Sequence, residues 1–394
     1  MKKESPFRIC VISFPMPSVL VVNVLLYSFV KILEPICAKV YVVTSNIPKD
    51  RIFTEKIIIK DIKTAMHFRD TIHPMWWSTL LQLFKIIIIQ MKMCLVLTKI
   101  SKEIDIAIFY GGVANLFPPV LMAKALRKKV ITAAIGLGSL SYKKDYNKGL
   151  FSLGGAFAAI LSVLERVNFS FSDLIIAESR GAVNFLGLDK YKQKVVASGA
   201  RYIDTELLQI KKDLRERKNW IGYIGRLNTG KGVMNFVEAM PLILEKQDNL
   251  KFFLGGHGPL YDRIKDKLRT NNISQKVELT GWLSHDKVAD YLNELKLFVL
   301  PSSSEGLPTG VLEAMACGAV VLATPVGGVP DVIKDGETGF ILENNSAECI
   351  AENVIRALEH PNLDEIVKNA RALVEREFTY EAAVERYRKI LENI

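Results

Sequence analysis

The segment LFVLPSSSEGLPTGVLEAMACGAVVLAT, from Leu297 to Thr324, decides the fold. It begins with a short apolar run, passes through a serine- and glycine-rich loop into a stretch with helical spacing, and ends in a second β-branched run. This pattern predicts a strand at Leu297–Pro301, a helix at Pro308–Cys317 and a strand at Val320–Thr324. A strand followed by a helix, when repeated, indicates a parallel sheet wound on both faces.

The same alternation continues on both sides of this segment. The C-terminal half predicts further strands at Trp220–Gly225, Lys251–Leu254 and Val277–Thr280, and helices at Val233–Lys246, Leu260–Thr270 and Lys287–Leu295. The N-terminal half predicts strands at Ile9–Ser13, Val40–Thr44, Asp105–Tyr110, Val130–Ala133 and Leu174–Ala177, separated by helices. The charged segment Asp204–Asn219 has no strand character and is the predicted linker.

Length and composition agree with two globular domains. A chain of 394 residues exceeds what one core usually organises, and 49% hydrophobic with 24% charged residues argues against long disorder. We expect an α/β protein with domains over 1–205 and 206–376 and a terminal helical segment over 377–394. The five cysteines form no C-x-x-C pair, which indicates reduced thiols in a cytoplasmic chain and no zinc site.

The positive charge is confined to the N-terminal half. Residues 1–210 hold 28 Lys and Arg against 15 Asp and Glu, a net +13, whereas residues 211–394 hold 24 against 27, a net −3. A basic face attracts anions, so a membrane surface or a lipid-linked acceptor is one interpretation and a plainly solvated face is the other. Nucleic acid is not expected, because no aromatic-rich basic strand or helix accompanies the charge.

Two long apolar stretches need an explanation. The run from Ile9 to Val30 is long enough to span a bilayer, but Pro15 and Pro17 interrupt it, which favours a buried strand, a turn and a core helix at Val19–Leu33 over a signal-anchor. The stretch Met75–Ile100 has tandem tryptophans and lysines at 85, 92 and 99. It suits either an interfacial membrane helix or a core helix that covers the N-terminal sheet.

A first candidate site is the loop GYIGRLNTGKG, Gly222–Gly232, between a predicted strand and a predicted helix. Backbone N–H groups at the end of such a strand can face an anion, and Arg226 and Lys231 add two cations. Phosphate is the expected ligand of this loop. The spacing is not that of a Walker loop, and solvated loop cations are the alternative.

A second candidate site is SSSEGLPTGVLEAMACG, Ser302–Gly318. Glu305 follows a buried strand, Pro308 stands at the first turn of the predicted helix, and Glu313 falls inside that helix among small and apolar residues. A carboxylate in such surroundings needs partners, and vicinal hydroxyls of a polyhydroxylated ligand can donate two hydrogen bonds to it. A structural pairing of Glu313 with a buried arginine is the alternative.

Glycine-rich loops follow two further predicted strands. Gly255, Gly256 and Gly258 belong to GGHGP, and TPVGGVPDVI, Thr324–Ile333, contains a glycine pair. Open parallel sheets bind ligands at the carboxyl ends of their strands, so these loops are expected near the same ligand.

The loop Gly225–Gly232, the GGHGP segment, the spacing of Glu305 and Glu313, and the EAMACG and PVGGVPDVI segments together resemble the retaining glycosyltransferases of family 4. The likeness is strong over about Trp220–Phe340. It extends to FSDLIIAES, Phe171–Ser179, and to Phe378–Tyr380 at the start of the terminal helix. The resemblance implies the GT-B fold, two facing Rossmann-like domains with a C-terminal helix that crosses back onto the N-terminal domain.

The resemblance also implies roles for individual residues. Arg226 and Lys231 would hold the donor diphosphate, Glu313 the ribose hydroxyls, and Glu305 the transferred sugar. The remaining donor-binding positions that it implies are Gly225, Gly256, Gly258, Gly306, Leu307, Pro308 and Thr309. The reaction would transfer a hexose-type sugar from a UDP- or GDP-sugar to a glycan or lipid-linked acceptor by front-face attack, with retention of configuration, no metal and no other cofactor.

The sequence departs from the family pattern on the acceptor side. The loop after the first strand is FPMPS, Phe14–Ser18, where the family has a glycine-rich loop. The segment ITAAIGLGSL, Ile131–Leu140, lacks the histidine that the family often has there, which leaves Gly136 and Gly138 as candidate backbone donors. A sugar-nucleotide isomerase or hydrolase and a catalytically silent donor-binding protein are therefore the rival functions on the same scaffold.

Overall fold

The computed structural model describes residues 7–14, 19–45, 54–62, 76–111, 116–135 and 153–394. The chain divides into two compact units. The N-terminal unit comprises Met1–Glu178, Val183–Ala200 and Val384–Ile394, and the C-terminal unit comprises Ser179–Ala182 and Arg201–Ala383. The candidate loop residues at Pro15–Ser18, Gly136 and Gly138 lie outside the described residues.

The N-terminal unit is built on a parallel sheet of seven strands in the order β3-β2-β1-β4-β5-β6-β7. Its strands are β1 Arg8–Ile12, β2 Lys39–Thr44, β3 Ile57–Asp61, β4 Ile106–Tyr110, β5 Lys129–Ala134, β6 Leu174–Ala177 and β7 Val195–Ala197. Its helices are α1 Val19–Leu33, α2 Trp76–Ile100, α3 Phe117–Ala125, α4 Leu153–Phe171 and α5 Arg180–Phe185, the last shared with the other unit. The inner strands are continuous apolar runs because helices cover both of their faces.

The C-terminal unit is built on a parallel sheet of six strands in the order β10-β9-β8-β11-β12-β13. Its strands are β8 Trp220–Ile224, β9 Lys251–Gly255, β10 Val277–Gly281, β11 Leu297–Leu300, β12 Val320–Ala323 and β13 Phe340–Ile341. Its helices are α6 Val233–Lys246, α7 Tyr261–Thr270, α8 His285–Glu294, α9 Thr309–Ala316, α10 Val329–Val332, α11 Ala347–Leu358 and α12 Leu363–Glu377, and the terminal helix α13 is Tyr380–Glu392. The predicted α/β class with two doubly wound parallel sheets is confirmed.

Several boundaries differ from the predicted ones by one or two residues. Helix α9 begins at Thr309 rather than Pro308, because Pro308 is the extended residue that precedes the first turn, with ψ of 118°. Helix α13 begins at Tyr380 rather than Phe378. The short strands β3, β7 and β13, which lie at the edges of their sheets, were not predicted, whereas the fourth edge strand, β10, was.

The terminal helix places Tyr387 in the core of the N-terminal unit. The Tyr387 ring is fully buried, and its centroid lies 5.3 Å from that of Phe29 on α1. Its hydroxyl donates to the carbonyl of Ser198 at 3.3 Å. The residues from Val384 onwards therefore belong to the N-terminal unit although they close the chain.

The segment that follows Ala200 is anchored to the C-terminal unit by two arginines. The buried guanidinium of Arg217 donates to four backbone carbonyls, those of Lys212, Leu292, Leu295 and Cys317. Arg371 donates to the carbonyl of Ala316 at 2.6 Å and to that of Leu208. Leu208 and Leu214 are buried in the same core, so the predicted linker is packed rather than extended.

Candidate functional site

The candidate site lies where the strand order of the C-terminal sheet reverses. Strands β8 and β11 are neighbours in the sheet, with Ile221 opposite Leu297 and Gly222 opposite Phe298, although more than 70 residues separate them in the chain. From β8 the chain runs on to β9 on one side, and from β11 to β12 on the other. Crevices at the carboxyl ends of two such strands are the usual ligand sites of open α/β sheets. The loops that leave β8 and β11 are those that contain Arg226 and Glu305.

Lys231 and Glu305 form an ion pair at the point where the strand order reverses. The Lys231 ammonium lies 2.6 Å from Oε1 and 2.7 Å from Oε2 of Glu305, and the Ser302 hydroxyl donates to Oε1 at 2.6 Å. The Glu305 side chain is only 7% exposed and that of Lys231 is 31% exposed. A nearly buried carboxylate is thus held by one cation and one hydroxyl, and the cation still reaches solvent.

The loop before α6 fixes the direction of Lys231. Residues Thr229–Lys231 form a 3₁₀ turn, and the Asn228 side chain accepts from the Lys231 backbone N–H at 3.1 Å. The carbonyl of Gly230 accepts from the Ser303 N–H at 2.9 Å, which ties this loop to the one that follows β11. The Asn228 side chain and the Gly230–Ser303 hydrogen bond therefore fix the backbone that carries Lys231 beside Glu305.

Arg226 is the second cation of the site. Its side chain is exposed, and among the described residues it makes no side-chain hydrogen bond or ion pair. Its carbonyl accepts from the buried Tyr223 hydroxyl at 2.8 Å. Burial raises the pKa of Tyr223, the charge of Glu305 raises it further, and the charge of Arg226 opposes both. The charges of Arg226 and Glu305 thus act on the same tyrosine in opposite directions.

Glu313 lies one helical turn after Thr309 on α9, so the two share a face of that helix. Its helix neighbours Leu312, Ala314 and Met315 are buried, and its own side chain is 14% exposed. Burial raises the pKa of Glu313, and the charge of His285 works in the opposite direction. The Nδ1 atom of His285 lies 3.8 Å from Oε1 of Glu313, so the buried arginine considered as a partner is replaced by a half-exposed histidine.

The predicted glycines bring the loops into contact. Gly256 has a φ of +136°, and a Cβ at this position would lie 1.9 Å from the carbonyl oxygen of Gly225. A Cβ on Gly258 would lie 2.4 Å from the carbonyl oxygen of Leu227, so the GGHGP loop packs closely against the loop that contains Arg226. A side chain at either position would separate the two loops.

The PVGG loop packs against the segment after Glu305 in the same way. Gly327 has a φ of +57°, and a Cβ there would lie 1.9 Å from the carbonyl oxygen of Glu305. The N–H of Gly328 donates to the carbonyl of Gly306 at 2.5 Å. Leu307 and Pro308 are buried, which leaves Glu305, Gly306 and Thr309 as the partly exposed residues of the predicted sugar-binding segment.

Three residues beside the site were not predicted from the sequence. Ser302 bonds Glu305, His285 faces Glu313, and Arg201 donates through Nη1 to the Thr309 hydroxyl at 3.5 Å. His285 directly follows GWLS, the segment at the end of a predicted strand. This position indicated that His285 lies near the site, because the carboxyl ends of parallel strands meet along one edge of the sheet. Among the described residues, no group of three His, Cys, Asp or Glu could hold a metal ion.

Comparison with known proteins gives a family likeness for the C-terminal part of the chain. Residues 204–393 match the family described as Glycosyl transferases group 1. An uncharacterized glycosyltransferase of Methanocaldococcus jannaschii is 28% identical over 57% of this chain and 60% of its own length. N-acetyl-alpha-D-glucosaminyl L-malate synthase of Bacillus anthracis is 30% identical over 58% of this chain and 62% of its own length. The alignments with these two relatives thus span about three fifths of each.

Solved structures show the same fold over nearly the whole chain. Anabaena HepE in complex with UDP superposes with a TM-score of 0.73 at 14% identity, covering 98% of this chain and 100% of that one. Sucrose-phosphate synthase from Thermosynechococcus elongatus gives a TM-score of 0.72 at 17% identity, with 97% and 98% covered. At these identities the likeness is one of fold, and the fold is GT-B.

Proposed function

We propose that this chain is a retaining glycosyltransferase that moves a hexose-type sugar from a UDP- or GDP-sugar to a glycan or lipid-linked acceptor. The observation that carries the proposal is the contact of Lys231 with Glu305, beside Arg226, where β8 and β11 end. This site lies inside the segment 204–393 that matches the group 1 glycosyltransferases. A site with two cations and two carboxylates suits a ligand with an anionic centre and hydroxyls on either side of it.

The two cations have complementary tasks in this proposal. Arg226 is exposed and offers a planar group that can bind two phosphate oxygens at once. The Lys231 ammonium has three N–H donors, so it can bind a phosphate oxygen and keep its contact with Glu305. Breaking the anomeric bond leaves negative charge on the β-phosphate, and fixed cations lower the free energy of that state more than that of the bound donor.

The two carboxylates would hold the hydroxyls at the two ends of the donor. Glu313 is in apolar surroundings, where two ribose hydroxyls could donate to its carboxylate and favour its ionised form. Glu305 would accept from hydroxyls of the transferred sugar, with the backbone of Gly306 and the hydroxyl of Thr309 on the same segment. Gly256 and Gly258 let the GGHGP loop pack against the loop of Arg226. In this proposal the backbone of Gly225, Gly256 and Gly258 borders the diphosphate.

Retention follows in this proposal from attack on the face from which the diphosphate leaves. The leaving phosphate accepts the proton of the attacking hydroxyl, and Arg226 and Lys231 stabilise the developing charge without a divalent ion. We propose a cytoplasmic location for the chain. All five cysteines are described and unpaired, as is usual in a reducing compartment.

The experiment is a transfer assay with a panel of UDP- and GDP-sugars, and with soluble and lipid-linked acceptors, in the presence of EDTA. The proposal predicts nucleotide release that depends on the acceptor, and a product whose anomeric configuration, determined by NMR, is that of the donor. Release without an acceptor would assign a hydrolase instead. No release with any donor, while nucleotide still binds, would assign a silent donor-binding protein.

A further inference from the structure

Helix α2 of the N-terminal unit has an exposed apolar face. The exposed fractions of its large apolar side chains are 61% for Phe84, 53% for Ile87, 38% for Ile88, 61% for Met91 and 62% for Leu95. The spacing of these positions, three or four residues apart, places them in one stripe along the helix. Single exposed apolar residues are ordinary on a protein surface, but a continuous stripe of five indicates an interaction surface.

The opposite face of α2 is already used for folding. Ile89, Met93 and Leu97 are buried in the core that the helix forms with the N-terminal sheet. The two interpretations of this stretch, a core helix and an interfacial helix, therefore describe two faces of the same helix. The buried face packs α2 onto the sheet, whereas Phe84, Met91 and Leu95 of the stripe each remain more than 60% exposed.

Neighbouring helices extend the apolar surface. Helices α2 and α3 contact each other, as do α3 and α4. All three cover one side of the sheet, because α2 and α3 share a core with Val130 while α4 packs through Phe169 against Ala134, which lies on the same side of β5. Leu121 on α3 and Ile160 and Val163 on α4 are also exposed. We call the exposed apolar residues of α2, α3 and α4 the helical apolar surface.

The charge that accompanies this surface is entirely positive on α2. Lys85, Lys92 and Lys99 recur every seven residues, all are exposed, and the helix contains no acidic residue. Lys85 and Lys92 directly follow the stripe residues Phe84 and Met91, so the lysines run along one side of the stripe. This arrangement complements a surface that is apolar inside and negatively charged outside.

We propose that the helical apolar surface docks onto an anionic phospholipid bilayer. The stripe of α2 would enter the boundary between headgroups and acyl chains, and the lysines would lie at the phosphate level. Charge selects this occupant over a second copy of the chain. In an antiparallel pair of α2 helices Lys92 would face Lys92 and Lys85 would face Lys99, with no acidic side chain on either helix to compensate.

Vesicle binding tests the proposal without any sugar donor, so its outcome is independent of the transfer activity. The full chain is floated with vesicles of phosphatidylcholine alone and of phosphatidylcholine mixed with phosphatidylserine, at low and at high salt. We expect binding to the mixed vesicles that weakens as salt rises, because the lysine contribution is screened. The triple variant F84Q/M91Q/L95Q should bind at least about tenfold more weakly, since the buried apolar area is lost.

Matched variants distinguish binding by the helical apolar surface from effects of net charge or of misfolding. K85E/K92E/K99E should also bind at least about tenfold more weakly. K246E/K251E/K265E changes the net charge equally on exposed positions of the C-terminal unit and should leave binding unchanged. F84L/M91L/L95I keeps the surface apolar and should retain binding. Circular dichroism and thermal melting of each variant establish that it is folded.

Three results would overturn the proposal. The first is equal flotation with neutral and mixed vesicles, or none with either. The second is the same loss of binding in K246E/K251E/K265E as in K85E/K92E/K99E. The third is a dimer in sedimentation that F84Q/M91Q/L95Q converts to monomer, which would assign the surface to a second copy.

Discussion

The ammonium of Lys231 contacts both carboxylate oxygens of Glu305, at 2.6 and 2.7 Å, across 74 residues of sequence. The contact joins the loops that leave two neighbouring strands of the C-terminal sheet. It sets the negative charge of a sugar-binding candidate directly beside the positive charge of a phosphate-binding candidate.

The Lys231–Glu305 pair should contribute measurably to stability. Among the described residues, replacement of Lys231 by Met leaves a nearly buried carboxylate with the Ser302 hydroxyl as its one side-chain partner, which we expect to lower the free energy of unfolding by about 1–3 kcal/mol. The double variant K231M/E305Q should lose less than the sum of the two single changes. Urea unfolding of the four proteins measures this coupling, with Lys251→Met as the exposed control; strictly additive losses would mean that the two side chains do not interact.

Arg226 should matter for ligand binding and little for stability. Its side chain is exposed and has no partner among the described residues, so Arg226→Ala should change the free energy of unfolding by less than about 0.5 kcal/mol. Loss of its hydrogen bonds to a diphosphate should weaken UDP or GDP binding about tenfold or more. Binding of the nucleoside monophosphate should change less. A variant that loses both affinities equally would place Arg226 away from the second phosphate.

Glu313 should make stability depend on pH in a defined direction. Burial raises its pKa above the ordinary value of 4.5, so the folded chain binds the proton more tightly than the unfolded chain. Its favourable contribution is therefore fully present below pH 4.5 and is lost as the pH rises through the folded pKa. Relative to Glu313→Gln, the wild-type chain should become less stable over that interval.

Thermal melting of the two proteins across this pH range checks the direction, with the exposed Glu352→Gln as the control. A stability difference between wild type and Glu313→Gln that stays constant with pH would contradict the raised pKa. His285→Ala should steepen the wild-type dependence, because the charge that opposes the rise is removed.

Arg217 should be the most sensitive arginine of the segment that joins the units. Its guanidinium is buried and donates to four carbonyls, so Arg217→Met leaves several buried acceptors unpaired and should cost about 2–5 kcal/mol. Arg215 stands two positions earlier with a side chain that is 90% exposed, so Arg215→Met should be close to neutral. Urea unfolding compares the two, and similar losses would mean that the carbonyl contacts contribute little.

The fold could be predicted from local patterns, and the contacts of the site only in part. The central strands could be recognised as continuous apolar runs, and the helix Val233–Lys246 was predicted with its correct bounds. The edge strand Ile57–Asp61 was missed although its three consecutive isoleucines favour a strand. The run is short and ends in the charged residues Lys60 and Asp61.

The pairing of Lys231 with Glu305 could not be predicted, because it depends on which strands are neighbours in the sheet. Sequence shows that a loop follows each strand but does not give the order β10-β9-β8-β11-β12-β13. The same limit explains Arg201 beside Thr309 and His285 beside Glu313. For α2, the helical spacing of the apolar residues could be read from the sequence, but which face of the helix is buried could not.

The most direct test of the account is calorimetric titration of the full chain with UDP and with GDP in the presence of EDTA. We expect one of the two nucleotides to bind with a stoichiometry of one. Lys231→Met and Glu313→Ala should each weaken this binding about tenfold or more, since each removes a charged protein group that hydrogen-bonds the ligand. Failure of both nucleotides to bind, or unchanged affinity in both folded variants, would contradict the assignment of these side chains to one donor site.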